Sequence, residues 1–146
     1  MNKRYSVEEI APVIGELVSC GKKVNITVTG NSMYPLFRNR LDSVMLEKAE
    51  SYKVGDIVLY CRKNGQYVLH RIVKIKGDCY ALAGDNETQK EYPVEKENII
   101  ARAVSGVRGK KNINFSALWY KFYKFIWIKL FFLRKILLNI IKTLAK

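Results

Sequence analysis

The feature that most constrains the fold is a series of short segments with strand character between residues 24 and 107. Apolar and polar residues alternate in VNITVT, and SVMLEK, DIVLYC, QYVLHRIVKI, DCYALAG and ENIIARAV follow it. Clusters of Gly, Asn and Asp separate these segments, and CRKNGQ supplies the turn before the fourth. Short strands without alternating helices are typical of a small antiparallel β-domain. The sequence therefore predicts a mainly β protein with a coiled antiparallel sheet.

A short helix is predicted before the strands, over residues 6–20. Ser6 and Glu9 have the spacing of a capping box, and Gly21 is a suitable stop. The apolar residues of this segment fall on one stripe of such a helix, namely Ile10, Val13, Ile14, Leu17 and Val18. Charged residues interrupt every apolar run near the N-terminus. We therefore expect neither a secretory signal nor an N-terminal membrane anchor.

The C-terminal segment has a different pattern, basic on one side and apolar on the other. Residues 110–146 contain nine Lys or Arg and no Asp or Glu, within a chain whose net charge is +13. On a helix, most of the lysines after residue 115 share one sector, and Leu, Ile, Phe and Trp lie opposite. Arg134 is the exception, since it falls outside the lysine sector. The pattern predicts a basic amphipathic helix that lies on an anionic membrane surface.

A membrane-spanning helix is not expected over residues 115–146, because the longest uncharged stretch there has only six residues, against roughly 20 for a span. Partial docking on the β-domain and self-association are the alternatives to membrane binding. Nucleic acid is not an expected partner, because the aromatic residues lie on the apolar side and not among the lysines. The predicted organisation is a β-domain over residues 1–109 and an amphipathic helix over residues 110–146.

The chain offers no signature of a cofactor or metal site. Its cysteines, Cys20, Cys61 and Cys79, have no C-x-x-C spacing, which argues against a zinc site and against a disulfide framework. No glycine-rich loop precedes a helix, so nucleotide binding has no support. We therefore predict neither a cofactor nor a metal.

Candidate chemistry begins with Ser32 in the stretch TGNSMYPLF. A serine hydroxyl needs a base within hydrogen-bond reach, and the chain has a single histidine, His70, on a predicted strand. Asp85, in the later loop AGDN, is able to orient an imidazole and to favour its charged form. Arg71 beside the histidine is expected to pair with a carboxylate and hold the strand. From the residues alone, a structural role is the more common one for a lone histidine on a strand, and a catalytic role is the alternative.

Four motifs in order resemble the signal peptidase I and LexA-like serine peptidase superfamily. They are SMYP (32–35), VGDIVLY (54–60), LHRIV (69–73) and GDN (84–86). The chain is most similar to the branch found in the endoplasmic reticulum, archaea and some Gram-positive bacteria, whose general base is His where other members use Lys. The resemblance spans roughly residues 26–106. It implies a coiled β-fold and an endopeptidase that binds an extended segment along a strand edge.

The resemblance also implies roles for individual residues. It assigns a catalytic set of three: Ser32 as nucleophile, His70 as general base and Asp85 as supporting carboxylate. The amide N–H of Ser32 is expected to help hold the oxyanion, and Met33 to pack beneath the site. A hydroxyl that assists in some relatives falls at Gly30 and is missing here, which leaves Asn31 as a candidate substitute.

Other departures bear on the biology. A second Asp that family members have after GDN is absent, and ETQKEYPVEKEN offers Glu instead. A C-terminal basic helix takes the place of the usual N-terminal anchor. We therefore expect a membrane-associated peptidase that processes a leader, signal or precursor peptide at the cytoplasmic face, with residues 115–146 on the membrane. A catalytically silent binding module and a LexA-like self-cleaving domain are the alternatives.

Overall fold

A computed structural model describes residues 7–146, and the predicted mainly β fold is confirmed. The helices of this part are α1 Val7–Ser19, α2 Leu118–Lys129 and α3 Arg134–Leu144. Its strands are β1 Val24–Thr27, β2 Ser43–Glu47, β3 Ile57–Cys61, β4 Tyr67–Lys76, β5 Cys79–Ala83, β6 Glu91–Glu95, β7 Ile99–Arg108 and β8 Lys111–Ile113. Single 3-10 turns lie at Lys96–Asn98 and Phe131–Leu133.

All eight strands of the described residues form one antiparallel sheet. Their order is β1-β2-β7-β3-β4-β5-β6, and β8 pairs with β7. The register shifts within four of the pairings, namely β2–β7, β3–β7, β4–β5 and β5–β6. Bulges of this kind bend a strand and increase its twist, which accounts for the coiling of the sheet around its core.

Two strands lie outside the predicted series. β6 contains Pro93, which lacks the N–H of a ladder hydrogen bond, and β6 is accordingly the last strand of the sheet. β8 has only three residues, too few to show an alternating pattern. The predicted hairpin with CRKNGQ as its turn is present, because β3 pairs with β4 up to Cys61 and Tyr67.

The predicted N-terminal helix is present as α1, and one side of it covers the sheet. The buried positions are Val7, Ala11, Ile14 and Val18, spaced by four, three and four residues. Val13, which we placed on the apolar stripe, is 53% exposed. The expected cap at Ser6 lies outside the described residues.

The C-terminal segment differs from one continuous helix, because a 3-10 turn at Phe131–Leu133 separates α2 from α3. Tyr120 and Trp127 of α2 and Leu138 of α3 are buried. Tyr120 belongs to the main core, and Trp127 donates a hydrogen bond to the Asp85 carbonyl. Eight other large apolar residues of the segment are exposed: Leu118, Trp119, Phe122, Phe125, Phe132, Ile136, Ile140 and Leu144. No helix within residues 7–146 has the length and apolar character needed to span a bilayer.

Candidate active site

Ser32 lies in a tight turn between β1 and β2 that is anchored to the core. Gly30 adopts a φ of +80°, a conformation that favours glycine, and its N–H donates to Oδ1 of Asn39 at 2.9 Å. Met33 is fully buried, and its carbonyl accepts a hydrogen bond from the Phe37 N–H at 3.0 Å. Ser32 itself is half-buried. The turn therefore holds the serine at the surface of the core, with Met33 packed into it.

The fold brings Ser32 and His70 to the same cleft, which has a volume of about 370 Å³. His70 is 1% exposed and lies on β4, opposite Val58 of β3. The apolar walls of the cleft include Ile26, Val28, Val68 and Leu69. A serine and an imidazole facing one partly apolar cleft are the parts required for nucleophilic catalysis.

The inner nitrogen of His70 faces a tyrosine that was not predicted as a site residue. Nδ1 lies 3.2 Å from the hydroxyl oxygen of Tyr60, and that hydroxyl donates to Oε2 of Glu91 at 2.6 Å. The Tyr60 hydroxyl donates its single proton to the carboxylate, so its oxygen accepts a hydrogen bond from the Nδ1–H of His70. This tautomer places the lone pair of the neutral imidazole on Nε2.

The charges of this network are fixed by its contacts. Burial raises the pKa of Glu91, but hydrogen bonds from Arg62 and Tyr60 outweigh it, and the net pKa lies below the usual glutamate value. Burial and the neighbouring Glu91 both raise the pKa of Tyr60 well above its ordinary range. Near neutral pH, an anionic Glu91 therefore faces a neutral Tyr60, which in turn holds His70.

A second glutamate lies at the outer nitrogen of His70. Oε1 of Glu87 is 3.4 Å from Nε2, and its Oε2 accepts the Gly84 N–H at 3.1 Å. Burial raises the pKa of Glu87, but the contact with His70 and the Gly84 hydrogen bond overcome it and lower the pKa. Glu87 and Glu91 therefore flank the imidazole, one near each ring nitrogen.

The Asp85 carboxylate is directed to Arg71 and Tyr123 and not to His70. It accepts two hydrogen bonds of 2.8 Å from Arg71 and one of 2.8 Å from the Tyr123 hydroxyl. The cause is the strand register: Arg71 and His70 project to opposite faces of β4, and Arg71 pairs with Ala83, two residues before Asp85. The expected pairing of Arg71 with a carboxylate is therefore present, whereas the carboxylates at His70 are Glu87 and Glu91.

Asn31 takes part in the site through its backbone. Its side chain is exposed, and its carbonyl accepts hydrogen bonds from the Tyr34 N–H at 3.2 Å and from Nδ2 of Asn86 at 3.1 Å. These contacts tie the serine turn to the loop that follows β5. Within residues 7–146, no group of His, Cys, Asp and Glu is arranged to hold a metal ion.

Sequence reasoning missed Tyr60, Glu87 and Glu91 as partners of His70. A signal existed for the tyrosine: in the β3–β4 hairpin, Tyr60 faces Val68 and lies diagonally next to His70 on the same face. The two glutamates belong to the stretch ETQKEYPVEKEN, whose path back over the sheet no local pattern reveals.

The chain is similar to a known protein family. The family model described as Peptidase S24-like matches residues 3–104, a range that contains Ser32, His70, Glu87 and Glu91. No curated protein is similar enough to the chain to count as a match.

Proposed function

The chain belongs to the Peptidase S24-like family, and on that premise we propose that it is a serine endopeptidase with Ser32 as nucleophile and His70 as general base. The observation that carries this proposal is the cleft that both side chains line. The buried hydrogen bonds behind His70 support it, because they direct the free lone pair of the imidazole to the nitrogen on the Glu87 side.

The mechanism follows from this arrangement. Nε2 of His70 takes the proton of the Ser32 hydroxyl as the oxygen attacks the peptide carbonyl, and the amide N–H of Ser32 helps hold the oxyanion. The imidazolium that forms lies between Glu87 and the Tyr60–Glu91 pair, which stabilise its charge. His70 then gives the proton to the leaving amine, and a water activated by the same residue releases the acyl group.

An extended peptide is the substrate that suits the cleft. β5 pairs with β4 only from Arg71 onward, so no strand within residues 7–146 pairs with that side of Tyr67 to His70. β1 lies at the other end of the sheet order, and its Ile26 lines the same cleft. A substrate segment can add to such free edges through main-chain hydrogen bonds. The proposed His base supports an assignment to the Ser–His branch of the superfamily.

A membrane surface is the proposed location. α2 and α3 expose a set of large apolar side chains even though their other side docks on the body, among them Trp119, Phe122 and Phe125. Exposed lysines, such as Lys121, Lys129 and Lys135, lie on the same segment, and such a combination suits an anionic bilayer surface. Lysines suited to an anionic leaflet and three free cysteines favour the cytoplasmic face. The proposed role is therefore the processing of a leader or precursor peptide at that surface.

The test is cleavage of a precursor-peptide library, with and without anionic phospholipid vesicles, followed by mass spectrometry. Wild type is compared with Ser32→Ala, His70→Ala and Ser105→Ala, the last being an exposed serine outside the cleft. We expect cleavage by wild type and Ser105→Ala, and none by the other two variants.

The same experiment separates the alternatives. Equal cleavage by Ser32→Ala would overturn the assignment of the nucleophile. A folded wild type that cleaves no peptide would favour a silent binding module. A wild-type chain whose intact mass falls with time, while that of Ser32→Ala is constant, would indicate a self-cleaving domain.

A further inference from the structure

The loop of residues 84–87, which follows β5, lies directly against the candidate active site. A Cβ atom on Gly84 would stand 2.4 Å from the carbonyl oxygen of Ser32, so only glycine permits this approach. The Asn86 N–H donates to that carbonyl at 2.8 Å, and Glu87 extends from the loop to His70. The position of this loop therefore determines the position of two groups beside the proposed catalytic pair.

The C-terminal helices hold the other side of the same loop. Nη1 of Arg134 donates to the carbonyl oxygens of Gly84 at 2.8 Å and Glu87 at 3.1 Å. Nε1 of Trp127 donates to the carbonyl oxygen of Asp85 at 2.7 Å. Three of the four backbone carbonyls in the loop thus accept hydrogen bonds from side chains of α2 and α3.

Arg134 is an unusual residue to find in this place. It is fully buried, 4.4 Å from the ring centre of Phe131, and its Nε donates to the Trp127 carbonyl at 3.0 Å. This environment lowers its pKa to about 10, chiefly through burial. Burying a cation is costly unless hydrogen bonds compensate for the water that it loses. The planar guanidinium of Arg134 reaches several carbonyls at once, which a lysine ammonium does not. Its departure from the lysine sector of the helix is explained by these contacts.

We propose that Arg134, with Trp127, makes the C-terminal helices a positioning element of the active site. The two side chains hold loop 84–87 so that Asn86 stays bonded to Ser32 and Glu87 stays at His70. The segment that exposes an apolar surface is thereby also part of the support of the catalytic groups. The effect on turnover rests on the proposed peptidase function, whereas the ordering of the loop does not.

The experiment uses the full chain and the variants Arg134→Gln and Arg134→Lys, with Lys135→Gln as the matched control at an exposed neighbour. Amide hydrogen exchange is measured by NMR at Asn86 and at Ile72, whose N–H is bonded to the Asp56 carbonyl within the body. We expect Arg134→Gln to accelerate exchange at Asn86 at least about tenfold and to leave Ile72 unchanged, because only the loop opens. The exchange rate at Asn86 in Arg134→Lys should lie between those of wild type and Arg134→Gln. The rate in Lys135→Gln should match wild type.

On a cleavable peptide, Arg134→Gln should lower kcat by about 10- to 100-fold, with KM changed by less than about threefold, as misplaced catalytic groups do. Unchanged protection of Asn86, or equal acceleration at Asn86 and Ile72, would overturn the proposal. Absence of cleavage by wild type would overturn the peptidase function instead, and the exchange result would still decide the role of Arg134.

Discussion

The guanidinium of Arg71 and the carboxylate of Asp85 form a fully buried two-point ion pair, with both hydrogen bonds at 2.8 Å. Burial opposes the charge of Arg71, but the facing carboxylate outweighs it and raises the arginine pKa well above its usual value. Arg71 also donates to the Tyr120 hydroxyl at 3.0 Å, and Tyr123 donates to Asp85. The pair therefore joins the sheet to α2, and its contacts are structural.

Asp85→Asn should accordingly lower stability more than it alters chemistry. The substitution leaves Arg71 buried and facing a neutral amide, and breaking such a pair costs about 3–5 kcal/mol of unfolding free energy. Urea denaturation measures the loss, with the exposed Glu95→Gln as control. Wild-type stability combined with abolished cleavage would contradict this and would return Asp85 to the role of a carboxylate that assists His70.

Tyr60→Phe should lower kcat by about 10- to 100-fold and leave KM nearly unchanged. The hydroxyl is the link between His70 and Glu91, and without it Nδ1 loses its neighbour and the orientation of the imidazole is less defined. Steady-state kinetics on a cleaved peptide give both constants. Tyr52→Phe is the matched control, since Tyr52 is a buried tyrosine of the β2–β3 connection that packs on Tyr80 outside the cleft. Equal kcat for Tyr60→Phe and wild type would exclude a role for this link.

Stability should depend on pH through Asp42. Burial raises its pKa, but hydrogen bonds from Arg38 and from the Gly109 N–H outweigh this and lower it. A carboxyl group whose pKa is lower in the folded than in the unfolded chain stabilises the fold above its unfolded value, about 3.9, and loses that contribution as the pH falls through its folded pKa.

Asp42→Asn should therefore reduce the free energy of unfolding by about 1.5–3 kcal/mol at pH 7, and the difference from wild type should shrink below about pH 4. Urea denaturation of both proteins between pH 7 and pH 3 measures this difference. A gap that stays constant over the whole range would show that the charge of Asp42 is not its cause.

Phe122→Ser combined with Phe125→Ser should weaken binding to anionic vesicles without unfolding the protein. The two rings are 65% and 57% exposed, so their loss should change stability by no more than about 0.5 kcal/mol each. Burial of such a ring in lipid contributes about 1.5–3 kcal/mol, and we therefore expect at least a tenfold weaker affinity in vesicle co-sedimentation. Tyr92→Ser, at an exposed ring on β6, should bind as wild type does. Unaltered binding by the double variant would place the membrane contact elsewhere.

Local patterns predicted six of the eight described strands and the turn that carries Ser32, because alternation and turn residues are short-range signals. The pairing of Arg71 with a carboxylate was also predictable, but the choice of Asp85 as its partner depends on the β4–β5 register. The residues that contact His70 were harder to predict from the sequence. Glu87 and Glu91 come from a segment with no periodicity, and their carboxylates reach His70 only after β5 and β6 have paired.

The C-terminal segment shows the same limit. Its amphipathic pattern was evident, but the side that would dock on the body could not be separated from the side that stays exposed. Only Arg134 broke the pattern, and its buried contacts with Gly84 and Glu87 explain why. A charged residue out of place on an amphipathic helix was in this case the mark of a tertiary contact.

The docking of α2 and α3 on loop 84–87 has a geometric consequence for substrates. If the exposed rings of these helices enter a bilayer, the cleft is held at a fixed distance from the lipid. The reason is that α2 and α3 are hydrogen-bonded to loop 84–87, so the helices and the loop move together. A peptide anchored in the same bilayer would then present to Ser32 only the bonds that lie at that height. Under the proposed peptidase function, the spacing between membrane anchor and cut site would determine which peptides are cleaved, in addition to the side chains around the cut.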